Sequence, residues 1–91
     1  MRKKYLVPVM PLRGGKVSGQ DGVRLAEFYS DNGADAILLF DLAETDEEHE
    51  QNIGLMKEIA RTAQIPVYAG GRIRRVEDVK KYLYAGCDKA I

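Results

Sequence analysis

Residues 69–75 read Ala-Gly-Gly-Arg-Ile-Arg-Arg, two glycines set directly against a run of arginines. Those residue types at that spacing suit an anion. Glycine lets the backbone turn sharply and bring N–H groups close to a ligand, and the start of a following helix adds its positive end. The chemistry implied is phosphate binding at Gly70, Gly71 and Arg72, with Arg74 and Arg75 close by. The same residues also suit a tight turn carrying a solvated basic cluster. Asp41 closes the apolar run Ala36–Phe40. A carboxylate there either lines a site or accepts N–H bonds from its own loop.

Other chemistry-bearing residues lead less far. Arg13-Gly-Gly-Lys-Val-Ser-Gly19 is glycine-rich, but it does not keep the G-x-x-x-x-G-K-[ST] order of a nucleotide phosphate loop. His49 sits among acidic residues with no second His or Cys placed to share a metal, and it reads as a solvated helix surface. Cys87 has no base beside it and reads as a buried structural thiol. Nothing in this pattern calls for a cofactor or a metal.

The elements that must position these residues follow from hydrophobic pattern. Tyr5–Met10 is a short apolar run and reads as a strand, with the glycine-rich segment after it as a loop. Asp21 suits the N-cap of a helix whose apolar positions are Leu25, Phe28 and Tyr29, and Asn32-Gly33 ends it. Ala36–Phe40 lacks strand alternation, as a strand buried on both faces does. Thr45 and Glu48 form a capping box for a helix with the stripe Ile53, Met56, Ile59, Ala60 and Ala63. Ile65–Ala69 is a third strand. Val76, Val79 and Leu83 mark a third helix stopped at Gly86, and a fourth strand begins near Asp88. Strands alternating with helices over short connections predict right-handed crossovers and a parallel sheet. An open doubly wound sheet and the first part of an eight-stranded (βα) barrel both fit. The unit recurs without a repeated residue signature.

Bulk properties narrow the function classes. Ninety-one residues make at most one domain of marginal stability. Fourteen basic residues balance fourteen acidic ones, which argues against a nucleic-acid or acidic-membrane binder. No apolar run is long enough to span a bilayer, and the basic start is broken by Pro8 and Pro11, so no signal peptide is read. A lone cysteine suits a reducing, cytoplasmic setting.

Residues 65–91 decide between the architectures. Ile65-Pro66, Gly70-Gly71-Arg72-Ile73, Val76-Glu77-Asp78 and Ala85-Gly86-Cys87-Asp88-Lys89-Ala90 resemble, in order, the motifs of the histidine-biosynthesis barrel family. That family includes the cyclase subunit of imidazole glycerol phosphate synthase and the phosphoribosyl-formimino isomerase. The stretches FYSDNGAD, FDLAE and GCDKA are nearer the cyclase. YSDNGAD and DVKKYLYAGC also resemble a cyclase-like segment found ahead of a fused cyclohydrolase–pyrophosphohydrolase of the same pathway. The resemblance implies an α/β fold, a partial (βα)8 TIM barrel of about three and a half βα units with a parallel sheet. Residues 1–91 then form a single incomplete barrel segment, with Ile91 inside the fourth strand.

It also implies where chemistry is kept and where it is lost. The family uses the glycine turn, here Gly70, Gly71 and Arg72, for one end of a bis-phosphate substrate. Asp41 matches an aspartate the family keeps. The implied ligand is a phosphorylated, sugar-nucleotide-like small molecule. The family's acid/base aspartate on the first strand falls on Pro11, which has nothing to titrate. The charged ring that gates ammonia from a glutaminase partner falls on Tyr5, Ala36 and Lys89, and one lysine makes no gate. The reading is a catalytically degenerate cyclase-like segment without a glutaminase partner, able to hold a phosphate. An active cyclase fragment and a stand-alone open-sheet module are the alternatives. An unclosed sheet exposes apolar surface, so self-association is expected.

Overall fold

The apolar runs and amphipathic stretches form, in the computed structural model, an α/β layer of one sheet and one row of helices. The structure describes residues 5–73 and 76–91. The strands are β1 (Val9–Arg13), β2 (Lys16–Val17), β3 (Ile37–Asp41), β4 (Val67–Gly70) and β5 (Lys89–Ala90). The helices are α1 (Gly22–Asp31), α2 (Asp46–Thr62) and α3 (Val76–Tyr84). Sheet order is β2-β1-β3-β4-β5, parallel throughout except for β2, which runs antiparallel to β1. No helix among the described residues is long and apolar enough to cross a membrane.

The caps act as the residue types dictate. The Asp21 carboxylate accepts from the Val23 and Arg24 N–H groups at the start of α1. Thr45 Oγ1 accepts from Glu48 N–H at 3.1 Å, and the Glu48 carboxylate reaches back to Glu44 N–H at 3.0 Å. Each such cap is worth about 1 kcal/mol. Gly33 and Gly86 take positive φ just beyond α1 and α3, where side-chain-bearing residues fit poorly.

Strand parity separates two faces. Met10, Leu12, Ile37, Leu39, Val67 and Ala69 point to the helices and form the core with Ile53, Met56 and Ile59 of α2 and Tyr82 of α3. Burying each such side chain stabilises the fold by about 1.5–3 kcal/mol. The other face carries rows set by the register: Val9, Leu38, Tyr68 and Lys89 in one, Pro11, Phe40 and Gly70 in the next. No described helix covers this face, and Val9 is 55% and Phe40 39% exposed. The sheet does not close.

Several sequence expectations need correction. The first strand lies at Val9–Arg13 rather than Tyr5–Met10, and Tyr5 and Leu6 are exposed. The glycine-rich segment is not a plain loop. Gly14 and Gly15 both take positive φ, so the chain reverses in a tight turn and Lys16–Val17 pairs back on Leu12 and Arg13. The sheet is therefore mixed at one edge. On α1, Phe28 is 59% exposed while Ala26 is buried. On α3, Val76 and Leu83 are exposed and Tyr82 is fully buried, so the buried face lies one residue away from the expected one.

A repeated signature also exists where none was read. Asp35 N–H donates to Leu6 O at 2.8 Å while the Asp35 carboxylate accepts from Leu6 N–H at 2.7 Å. Asp88 does the same with Val67, at 2.7 and 2.8 Å. Gly33-Ala34-Asp35 thus ties the entry of β3 to the segment ahead of β1, and Gly86-Cys87-Asp88 ties the entry of β5 to β4, by one device.

Candidate functional site

β3 and β4 end side by side, and their loops carry the candidate residues. Parity turns Asp41, the last residue of β3, toward the helices, where it is 2% exposed. Its Oδ1 accepts from Ala43 N–H at 2.9 Å and from the Asn52 amide at 2.7 Å. Its Oδ2 meets His49 Nδ1 and lies 3.1 Å from the Tyr82 hydroxyl. A buried carboxylate is costly unless several donors surround it, and this one has them. Asp41 therefore lies behind the sheet, with both oxygens engaged.

Gly71 follows β4 with φ +80°, and Arg72 with φ +45°. The turn passes so close to β3 that a Cβ on Gly71 would lie 2.5 Å from Asp41 O. Only glycine fits there without backbone movement. Gly70, by contrast, faces the open side between Phe40 and Ile91. Neither the Gly71 nor the Arg72 N–H donates to another backbone group among the described residues. The Arg72 guanidinium, expected beside a phosphate, donates to Asp46 Oδ1 at 2.8 Å at the start of α2. That hydrogen bond, then the arginine's charge, holds the Asp46 carboxyl below its usual range, and Asp46 raises Arg72 in return. Arg74 and Arg75 lie outside the described residues.

The structure thus brings Gly70, Gly71, Arg72 and Asp41 to the C-terminal ends of two neighbouring inner strands, but on two sides of the sheet. Pro11 is half-buried on the open face, paired in register with Phe40. Its missing N–H costs no ladder bond to β3. Leu38 N–H donates to Pro8 O and Leu42 N–H to Leu12 O, so even-numbered β1 residues face β3 and Pro11 faces the other way. Toward the N-terminal ends of the strands, Ala36 is buried, Tyr5 and Tyr68 hydroxyls lie 3.5 Å apart, and Lys89 Nζ is 5.8 Å from the Tyr68 ring centre.

His49 is not the solvated surface residue the sequence suggested. It is buried against Asp41, edge-on to Tyr82, and its Nε2 has no partner among the described residues. Asn52 and Tyr82 were missed altogether. Asn52 donates to Leu12 O at 3.0 Å and accepts from Gly15 N–H at 2.8 Å. The signal was present, because positions 49 and 52 continue the helical stripe 53, 56 and 59, but a hydrophobic pattern passes over polar residues on that stripe. Burial, then the charge and hydrogen bond of Asp41, pushes the Tyr82 phenol well above its ordinary range.

Comparison with known proteins agrees with the fold. A family model described as histidine biosynthesis protein matches residues 12–91. The chain is 36% identical over 96 residues to the imidazole glycerol phosphate synthase subunit HisF of Helicobacter hepaticus, covering 94% of this chain and 38% of that protein. It is 33% identical over 99 residues to the same subunit of Halalkalibacterium halodurans, covering 98% of this chain and 39% of that protein. The chain therefore spans well under half the length of these curated relatives, as an unclosed part of a (βα)8 barrel does.

Proposed function

We propose, since the chain belongs to the histidine biosynthesis protein family, that it is a cyclase-like barrel segment without acid–base chemistry that holds a phosphorylated ligand at Gly70, Gly71 and Arg72. The observation that carries the first half is Pro11. It stands on the open sheet face, where the resembled family places its first acid, and it has no group that moves a proton. Asp41, the nearest carboxylate in that register, points behind the sheet and is enclosed. General acid–base help is worth about 10²–10⁴-fold in rate, so its loss leaves little turnover.

The second half rests on the turn. No backbone acceptor among the described residues takes the Gly71 or Arg72 N–H, which leaves them to an anion, and Arg72 adds a positive charge that Asp46 partly neutralises. Such a site binds weakly. Asp41 serves this turn from behind rather than by touching ligand. No glutaminase partner is proposed, because Lys89 alone keeps the gate pattern and here lies against Tyr68. A second copy of the chain, or another part of a longer protein, would cover the open face.

Ammonia-dependent turnover of the resembled family's bis-phosphate substrate tests the loss of chemistry. The expected rate equals the buffer blank. Turnover well above it would restore the active-fragment reading.

A further inference from the structure

The peptide between Gly71 and Arg72 is oriented from behind. Tyr82, on the buried face of α3, donates its hydroxyl to Gly71 O at 2.7 Å and lies 3.1 Å from Asp41 Oδ2. A phenol carries one proton, which the Gly71 carbonyl and the Asp41 carboxylate share as acceptors, with the shorter contact to the turn. In a planar trans peptide the carbonyl and the next N–H point opposite ways. With Gly71 C=O drawn toward Tyr82, the Arg72 N–H is aimed away from the core.

The brace behind Tyr82 is itself fixed. Asp41 is held by Ala43, Asn52 and His49, and Asn52 extends the network to Leu12 and Gly15. One buried carboxylate thus joins the loops that follow β1, β3 and β4. The His49 ring, with Nε2 unpartnered among the described residues, hydrogen-bonds into this network through its other nitrogen.

We infer that Tyr82 is the positioning residue of the phosphate turn: its hydroxyl, braced by Asp41, His49 and Asn52, sets the Gly71–Arg72 peptide plane and so aims the Arg72 N–H at the ligand. This rests on the phosphate reading above. Tyr82→Phe keeps the ring and removes the oxygen. Ile59→Val trims the core of α2 away from the network and serves as the control for general loosening.

Ribose 5-phosphate is titrated into the full chain and both variants while the Gly71 and Arg72 amides are followed by NMR, and their hydrogen exchange is measured without ligand. The dissociation constant should rise about fivefold in Tyr82→Phe, the size of one neutral hydrogen bond. The Arg72 amide resonance should move in the free variant, and Ile59→Val should bind as the parent does. Parent binding with unchanged Tyr82→Phe affinity overturns the inference and leaves the phosphate reading standing. Equal weakening in both variants reduces Tyr82 to a packing role and also overturns it. Parent amides that do not respond overturn the phosphate reading and the inference together.

Discussion

Replacing Gly71 by alanine separates two reasons for a glycine at one position. The first is conformational: φ is +80°. A residue with a Cβ loses about 1–2 kcal/mol in that region. The second is space, since the new Cβ would meet Asp41 O at 2.5 Å and Asp41 N at 3.0 Å. Those are backbone atoms at the end of a central strand, and they move only with the sheet. Forcing such an overlap costs about 1–3 kcal/mol more, for a total of about 2–5 kcal/mol. Gly33 provides the comparison, with φ +90° and nothing within 4 Å of its Cβ position. Its replacement by alanine costs the conformational part alone, about 1–2 kcal/mol. A chain this size holds about 5–13 kcal/mol in all, so the Gly71 variant approaches the edge of folding. Urea unfolding at one fixed protein concentration reads the difference. With a slope of about 1 kcal/mol per molar, the midpoint should fall by about 2 M or more for Gly71→Ala and by about half that for Gly33→Ala. Equal shifts in the two variants would refute the argument that close approach to Asp41 makes Gly71 obligatory.

Asp46 should titrate with a depressed midpoint, below the ordinary 3.8, because Arg72 favours its charged form. The ion pair is therefore complete above that value and lost as pH falls through the lower, folded one; carbon-detected NMR showing no difference between parent and Arg72→Gln would contradict it. Burial, then the Asp88 charge, pushes the Cys87 thiol up to about 11, so it should react slowly with a disulfide reagent at pH 8 until urea is added. A raised folded value also means that its contribution to stability is intact below about 9 and fades as pH climbs through about 11. Fast reaction of the folded chain at pH 8 would show the thiol is not enclosed. With Val9, Phe40 and Ile91 exposed on the uncovered face, sedimentation equilibrium should show association. A monodisperse monomer with slowly exchanging amides in β1, β3 and β4 would count against it.

What the sequence made legible was the repeating unit and its punctuation. Asp21, Thr45, Gly33 and Gly86 announce helix ends because their chemistry is local, and the structure uses each of them so. The family motifs carried the architecture that pattern alone left open. What stayed hidden depends on contacts distant along the chain. Asp41 turns behind the sheet because strand parity counts from Ile37, and its partners lie on two different helices. Tyr82 rather than Leu83 is buried because the Gly71 carbonyl and Asp41 give its hydroxyl a place to go. The Gly14-Gly15 reversal was read as loop because β2 has only Lys16 and Val17 to signal a strand.

The most direct test of the account is an amide-resolved titration of the chain with ribose 5-phosphate, set against ribose. Gly70, Gly71 and Arg72 should shift together and saturate with a dissociation constant of about 1 mM, near 4 kcal/mol of binding, and ribose alone should leave them in place. Shifts elsewhere with those three amides unmoved would contradict the assignment of the turn as the site.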